Sequence, residues 1–334
     1  MKVVVTGATG FIGSVLCREL HDQGDKIRAL VMPGENYSHI TPFINDVQTG
    51  NILDPDSLKD LAEGADVVFH LAARVLDYGS RQQFYGPILE GTRNMLAVSQ
   101  GRAGRFVQVS SFAACGIGRH LKGQIEDDPC RKSGVPYNDA KLDAEAEVRQ
   151  YNERFERGCT IIRPANVVGP RSVWVDEVCR QLWKMTGLPL IDGGRHSASL
   201  IFVNNLIDGL ILAGTKDKAA RQTYHLRDDW QVSWKSYLTE LAALVGKKPR
   251  GRMPFSVAWH LGRFAETLCT PLSLRPPVTR LAAGIMGRNN DVSTLKAQKE
   301  LGWKTRITYE EGMDRIARYV VETLLPQLTG RKSS

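Results

Sequence analysis

The chain has 334 residues, of which 42% are hydrophobic and 24% charged, so it is a globular protein rather than a disordered or fibrous one. Its six cysteines contain no CxxC pair, which excludes a disulfide scaffold and a zinc ribbon. That cysteine usage favours a reducing compartment, and we expect a cytoplasmic protein. The N-terminal apolar run is too short for a signal peptide, and no apolar stretch reaches the roughly 18 residues of a membrane span.

Short apolar runs alternate with longer helical patterns through the first half of the chain. Strands are predicted at 3–6, 26–31, 46–49, 66–70, 106–109 and 160–163, and helices at 11–23, 54–63, 81–100 and 136–156. Strands that are apolar on both faces and separated by helices predict βαβ units with right-handed crossovers. The first half is therefore expected to form an α/β fold around a doubly wound parallel sheet.

The second half is mainly helical. Helices are predicted at 173–186, 206–213, 234–245, 255–269, 293–301 and 309–324, and strands at 199–203 and 222–226. We expect a first domain over 1–165, to which 199–226 returns, and a smaller helical substrate domain over 166–198 and 227–330.

The net charge of +8 is concentrated late in the chain, because 246–290 contains eight lysines and arginines but only one acid, Glu266. A solvated basic face is the simplest interpretation, and an anionic ligand or an anionic membrane surface are the alternatives. For the apolar segment 253–287, a helical wall of the substrate domain is favoured over a membrane-surface helix. No nucleic-acid motif accompanies the charge, so we expect no nucleic-acid partner.

A glycine-rich loop, GxxGxxG, joins the first strand to the first helix. Gly7 permits a sharp turn, Gly10 lets the backbone approach a pyrophosphate, and Gly13 allows close helix packing. The helix N-terminus presents free N–H groups to the anion, so this turn predicts a Rossmann-type dinucleotide site.

The tip of the second strand carries no acid to bind the adenosine ribose. Glu35 lies beyond it and is expected to be solvated, and Met32 stands where an arginine would suit a 2′-phosphate. Arg28 and His39 are cations near this strand tip, and the sequence does not determine where their side chains point. The cofactor is predicted to be NADP or NAD, with NADP slightly favoured.

Tyr137 and Lys141 are four residues apart at the start of a predicted helix, so they share a face. A neighbouring ammonium is expected to lower the pKa of the phenol and prepare it for proton transfer. Ser111 follows a strand at the ligand-binding edge and would polarise the substrate oxygen. The seven histidines show no metal-ligand spacing, and no metal site is predicted.

These features together resemble an extended short-chain dehydrogenase/reductase over residues 1 to about 320. The matching segments are TGATGFIG at 6–13, HLAA at 70–73, GTRNML at 91–96, Ser110-Ser111, Tyr137 with Lys141, and RPANVVGP at 163–170. Within the C-terminal half, LIFVNNL at 200–206, RPPVTR at 275–280, STLKA at 293–297 and ELGW at 300–303 resemble the 3β-hydroxysteroid dehydrogenase-like branch.

The resemblance implies roles for individual residues. Ser111, Tyr137 and Lys141 would be the catalytic triad, with Tyr137 and Lys141 also touching the cofactor. The other implied cofactor residues are Gly7, Gly10, Phe11 and Ile12 for the pyrophosphate, Asn51 and Ile52 for the adenine, Leu71, Ala72 and Ala73 for the ribose, and Pro164 and Val167 for the nicotinamide. Two positions depart from the family pattern, since Ile88 stands where asparagine is frequent and Asn51 where aspartate is frequent.

The leading hypothesis is an NAD(P)-dependent oxidoreductase that interconverts a secondary alcohol and a ketone on a lipid-like or cyclic small molecule. The alternative is a nucleotide-sugar 4-epimerase with tightly bound NAD, for which the late basic cluster would hold the diphosphate. A non-catalytic dinucleotide sensor ranks last, because the triad is intact. The resemblance also implies a homodimer through the helices at 81–100 and 136–156.

Overall fold

The computed structural model describes residues 1–184 and 188–330. The strands are β1 (Lys2–Thr6), β2 (Lys26–Val31), β3 (Asp46–Thr49), β4 (Ala65–His70), β5 (Ala103–Val109), β6 (Leu121–Gln124), β7 (Cys159–Pro164), β8 (Asn166–Val168), β9 (Leu190–Ile191), β10 (Leu200–Phe202), β11 (Thr223–Leu226), β12 (Arg252–Met253) and β13 (Asn290–Val292). The α-helices are α1 (Phe11–Asp22), α2 (Arg81–Tyr85), α3 (Gly91–Ser99), α4 (Pro136–Gln150), α5 (Val173–Lys184), α6 (Val203–Thr215), α7 (Trp234–Leu244), α8 (Phe255–Cys269), α9 (Arg280–Met286), α10 (Leu295–Leu301), α11 (Tyr309–Tyr319) and α12 (Leu325–Thr329).

Seven parallel strands form the central sheet in the order β11-β7-β5-β4-β1-β2-β3. Successive side chains of β1 point to opposite faces, so Val3 and Val5 enter the core that includes α1 and α6, and Val4 enters the core that includes α3. The predicted doubly wound sheet is confirmed. The strand order reverses between β1 and β4, which opens a crevice at their carboxyl ends.

The predicted helix at 54–63 is wrong. Only a 3₁₀ turn forms, at Pro55–Leu58, because Lys59 is extended and Asp60 has a φ of +62°. The apolar spacing that suggested a helix is instead satisfied by burial of Leu58 and Leu61 within this compact turn.

Two other predicted helices differ in detail, and a third is described only in part. The helix at 81–100 is α2 and α3 joined by a π-helical turn at Gly86–Glu90, where Pro87 supplies no N–H for the α-helical ladder. The helix predicted to end at 156 ends at Gln150 and is followed by a 3₁₀ turn. The helix predicted at 173–186 spans α5, and its last two positions lie outside the described residues.

Three two-stranded ribbons, β10-β8, β12-β9 and β13-β6, lie outside the central sheet. Of the segment 199–226, β11 lies in the central sheet and α6 packs against β5 and β7, whereas β10 pairs with β8. The division of the chain into two domains stays a prediction. Within the described residues, no helix combines the length and apolarity needed to cross a bilayer.

One fully buried carboxylate, Asp228, joins β10, α6 and the loop before α11. It accepts hydrogen bonds from Phe202 N at 2.7 Å, from Asn205 Nδ2 at 2.9 Å and from Thr305 Oγ1 at 3.2 Å. The end of β10, the first turn of α6 and the loop before α11 therefore share one acceptor.

We predict that Asp228→Ala lowers the free energy of unfolding by about 3 kcal/mol, because buried N–H donors lose their acceptor. Urea unfolding followed by tryptophan fluorescence measures the change. Asp229→Ala is the matched control, because the neighbouring side chain is exposed. Equal stability of the two variants would show that Asp228 does not join these elements.

Candidate active site

The glycine loop forms one wall of the crevice between β1 and β4. Gly7 has a φ of +67°, and a Cβ there would lie 2.9 Å from the backbone nitrogen of Ala72. A Cβ on Gly13 would lie 2.1 Å from the carbonyl oxygen of Gly7, so only glycine allows α1 to begin this close to the strand. In the described chain no side chain caps α1, whose N-cap is Gly10, and its first turn contains no acid. Its free N–H groups therefore fit an anion.

Residues 71–73 after β4 form the opposite wall. The hydroxyl oxygen of Thr6 accepts from the backbone nitrogens of Leu71 and Ala72, both at 3.2 Å, and lies 2.8 Å from His70 Nδ1. Thr92 Oγ1 lies 3.2 Å from the other nitrogen of that imidazole. Burial lowers the pKa of His70 to about 3, so the ring is neutral and holds the two walls together.

Asn51 and Ile52 lie past the end of β3, on the same edge of the sheet. The side-chain oxygen of Asn51 accepts from Leu53 N at 2.9 Å. Ile52 is buried, and its Cδ1 lies 2.6 Å from where a Cβ on Gly91 would stand. Ile52 therefore packs against α3.

Glu35 lies beyond the tip of β2 and is exposed, as the sequence led us to expect, but its carboxylate also has partners in the chain. The Glu35 carboxylate accepts from Thr9 Oγ1 at 2.5 Å and from Met32 N at 3.1 Å, so it folds back onto the glycine loop. His39 Nε2 lies 3.1 Å from the carbonyl oxygen of Thr9. Arg28 is directed elsewhere, because its guanidinium bonds Asp46 at 2.7 Å.

Ser111, Tyr137 and Lys141 gather at the carboxyl end of β5. The Ser111 hydroxyl accepts from Ala113 N at 3.2 Å and so starts a 3₁₀ turn. Tyr137 is the second residue of α4 and is half-buried. Lys141 lies one helical turn later and is buried, and its ammonium donates to the carbonyl of Val109 at 2.7 Å.

The prediction that Lys141 lowers the pKa of the phenol is wrong for this structure. Burial raises the pKa of Tyr137, and a hydrogen bond with Ser111 only partly opposes that rise. The Lys141 ammonium instead donates a hydrogen bond to the Val109 carbonyl, and the pKa of Lys141 falls to about 8 because the side chain is buried. Tyr137 is therefore a protonated phenol near neutral pH.

Sequence reasoning did not find the buried network behind this triad. The Glu145 carboxylate accepts from Ser110 Oγ at 2.7 Å and from Arg163 Nε and Nη2 at 2.9 and 2.7 Å. Burial alone would raise the pKa of Glu145, but its hydrogen bonds and attraction to Arg163 lower it. The signal was present, since Glu145 follows Lys141 by one helical turn.

A cavity of about 200 Å³ opens beside Tyr137. Tyr78 and Phe84 contribute aromatic surface, and Glu266 with Arg280 forms an ion pair at 2.7 Å on the C-terminal side. Pro164 and Val167 follow at the end of β7 and in β8, on the same edge of the sheet. A larger cavity of about 510 Å³, between the 229–236 and 305–310 segments, contains none of the predicted site residues.

Residues 3–226 match the family described as NAD dependent epimerase/dehydratase. A ketoreductase of Stigmatella aurantiaca, named for 4-hydroxy-2-methyl-3-oxo-4-farnesyl-3,4-dihydroquinoline-1-oxide, is 30% identical over 95% of this chain and 96% of its own length. The sterol-4-alpha-carboxylate 3-dehydrogenase of Mus musculus is 23% identical over 94% of this chain and 89% of its own.

Among solved structures, the UDP-glucose 4-epimerase of Thermotoga maritima superposes with a TM-score of 0.77 at 19% identity, covering 97% of this chain and 100% of its own, which shows a shared fold. With the family match and the 30% identical relative, the chain belongs to the NAD dependent epimerase/dehydratase family, within the extended short-chain dehydrogenases/reductases, and is an NAD(P)-dependent oxidoreductase related to ketoreductases and 3β-hydroxysteroid dehydrogenase-like enzymes.

Proposed function

We propose that this enzyme reduces a ketone on a cyclic or lipid-like small molecule to a secondary alcohol. The observation that supports it most is the meeting of Ser111, a protonated Tyr137 and Lys141 beside a partly aromatic cavity. A bound nicotinamide nucleotide supplies the hydride. The remaining work, which is to hold the nucleotide, orient the ketone and deliver a proton, falls to the chain itself.

The crevice between β1 and β4 suits a dinucleotide because α1 begins there uncapped and its glycines leave no side chain in the way. Along the carboxyl edge of the sheet, we assign Gly7, Gly10, Phe11 and Ile12 to the pyrophosphate, Asn51 and Ile52 to the adenosine end, Leu71, Ala72 and Ala73 to the ribose, and Pro164 and Val167 to the nicotinamide end.

Tyr137 is the proton donor in this scheme. Reduction of a ketone requires an acid at the carbonyl oxygen, and the raised pKa of Tyr137 keeps its hydroxyl protonated at neutral pH. Ser111 donates a second hydrogen bond to that oxygen. Lys141 uses one of its three N–H donors on Val109, and we assign the others to the nicotinamide ribose.

Two observations support the substrate class. Tyr78 and Phe84 are among the residues that line the cavity, and such aromatic lining suits a ring or an isoprenoid chain. The relatives named above carry a farnesylated quinoline oxide and a sterol carboxylate in their names.

Nucleotide-sugar epimerisation is the alternative. It requires cations free to bind a diphosphate beside the cavity, yet two arginines of the late basic cluster near the cavity are paired, Arg280 with Glu266 and Arg275 with Asp77 and Glu177. The reductase is therefore favoured. A homodimer stays a prediction.

We predict that Tyr137→Phe lowers turnover by about 10²–10⁴-fold, because the proton donor is lost, while nucleotide affinity changes little. Consumption of the reduced nucleotide with a panel of cyclic ketones measures turnover, and titration calorimetry measures affinity. Tyr151→Phe, at the end of α4, is the matched control. Unimpaired turnover of Tyr137→Phe would refute the assignment, and turnover of a UDP-sugar without net nucleotide oxidation would favour the epimerase.

We predict that Gly13→Ala weakens nucleotide binding by about tenfold or more, because the new methyl group displaces the backbone of the loop that holds the pyrophosphate. Gly86→Ala is the control, since a Cβ there meets only Leu53 side-chain carbons at 3.8 and 3.9 Å. Calorimetry with each nucleotide gives the affinity, and circular dichroism verifies the fold. Equal affinities for the two variants would place the nucleotide elsewhere.

The contacts of Glu35 weigh against the slight preference for NADP. Its carboxylate lies on the glycine loop at the tip of β2, where an adenosine 2′-phosphate would meet a like charge, and Arg28 is bound to Asp46. We therefore propose NAD as the preferred cofactor.

Glu35→Gln should raise kcat/KM with NADPH relative to NADH by about tenfold, because one repulsive charge is removed. Glu63→Gln, an exposed glutamate away from the crevice, should leave the ratio unchanged. A wild-type preference for NADPH, unaltered in Glu35→Gln, would contradict this assignment.

A further inference from the structure

Helix α8 is apolar on two faces. Its inner face buries Phe255, Ala258, Gly262 and Ala265. Its outer face carries large apolar side chains at intervals of four, three and four residues, which places them in one stripe along the helix. Two leucines in the following turn are exposed as well. The outer stripe consists of Val257, Leu261, Phe264, Leu268, Leu272 and Leu274, whose exposed fractions range from 41% to 68%.

Exposed cations accompany the outer stripe. Arg263 lies on α8 itself, and others lie in the segment that leads into the helix. In the described part of the chain, the cations of this region without an ion pair are Lys247, Lys248, Arg250, Arg252 and Arg263. Glu266, the one acid between 246 and 290, faces Arg280 in the cavity wall, so no acid of this segment offsets the exposed charge.

We propose that the outer stripe docks on the surface of an anionic lipid bilayer. Apolar side chains on one helix face would enter the acyl boundary, while the flanking lysines and arginines would meet acidic headgroups. A second copy of the chain fits less well, because a two-fold contact through this face would bring the same unpaired cations together. Single exposed apolar side chains are ordinary on a protein surface, but four large ones in one helix stripe, with two more in the following turn, are not.

Docking would also place the cavity at the membrane. Glu266, Thr267 and Thr270 of α8 and its following turn line the cavity beside Tyr137, so the helix that carries the outer stripe also forms part of the cavity wall. A ketone dissolved in the bilayer could then reach Tyr137 without crossing water. This last step rests on the proposed function, whereas docking itself does not.

Co-sedimentation of the full chain with vesicles tests the proposal without any activity measurement. We expect binding to phosphatidylcholine vesicles that contain phosphatidylglycerol and binding at least about tenfold weaker to phosphatidylcholine alone. Phe264→Ser combined with Leu268→Ser should weaken binding to the anionic vesicles by about tenfold or more. Arg263→Glu should weaken it by about fivefold or more, and added salt should weaken it further.

Leu295→Ser and Lys299→Glu are the matched controls, since both residues are exposed on α10, away from α8, and should leave binding unchanged. Thermal unfolding shows that the variants fold, and sedimentation velocity without vesicles detects self-association. Absence of vesicle binding, equal binding to neutral vesicles, or dimers abolished by Phe264→Ser with Leu268→Ser would each overturn the proposal. Turnover of a water-soluble ketone, measured in parallel, keeps a failure of docking distinct from a failure of the proposed reaction.

Discussion

The position of Tyr137 depends on one buried carboxylate. Glu145 lies two turns beyond the tyrosine on α4 and bonds Ser110 at the end of β5 and Arg163 on β7. Removing one partner of such a buried pair costs about 3–5 kcal/mol, because the other charge is left without compensation. Sheet and helix are therefore held in one relative position beside Ser111, Tyr137 and Lys141.

The same burial explains why the phenol is an acid here. Burial raises the pKa of Tyr137, and the Lys141 ammonium donates its hydrogen bond to the Val109 carbonyl. A phenolate would suit the reverse reaction, in which a proton leaves an alcohol. In the proposed reduction, the raised pKa of Tyr137 keeps its hydroxyl able to give a proton to the ketone oxygen.

The features that could be predicted from the sequence depend mostly on residues close together in the chain. The turn at Gly7 and the four-residue spacing of Tyr137 and Lys141 depend on neighbours in sequence, and both were predictable. The helix predicted at 54–63 does not form because Asp60 has a positive φ, which ends the turn. The spacing of apolar residues does not indicate the sign of φ. The Glu266–Arg280 pair and the contact of Glu35 with Thr9 join segments whose approach depends on the whole fold, so no spacing indicated them.

The segment around α8 can serve both as a wall of the substrate domain and as a membrane-surface helix. From the sequence, its apolar residues fitted either a wall of the substrate domain or a membrane-surface helix, and the wall was favoured. A helix can bury one face and expose another. In α8, Ala258 and Gly262 are buried on the inner face, and Phe264 and Leu268 are exposed on the outer face. Total hydrophobicity cannot separate these faces. The packing of α8 against α9 and against residues such as Ile191 decides which residues are covered, and the residues left exposed form the proposed lipid-binding stripe.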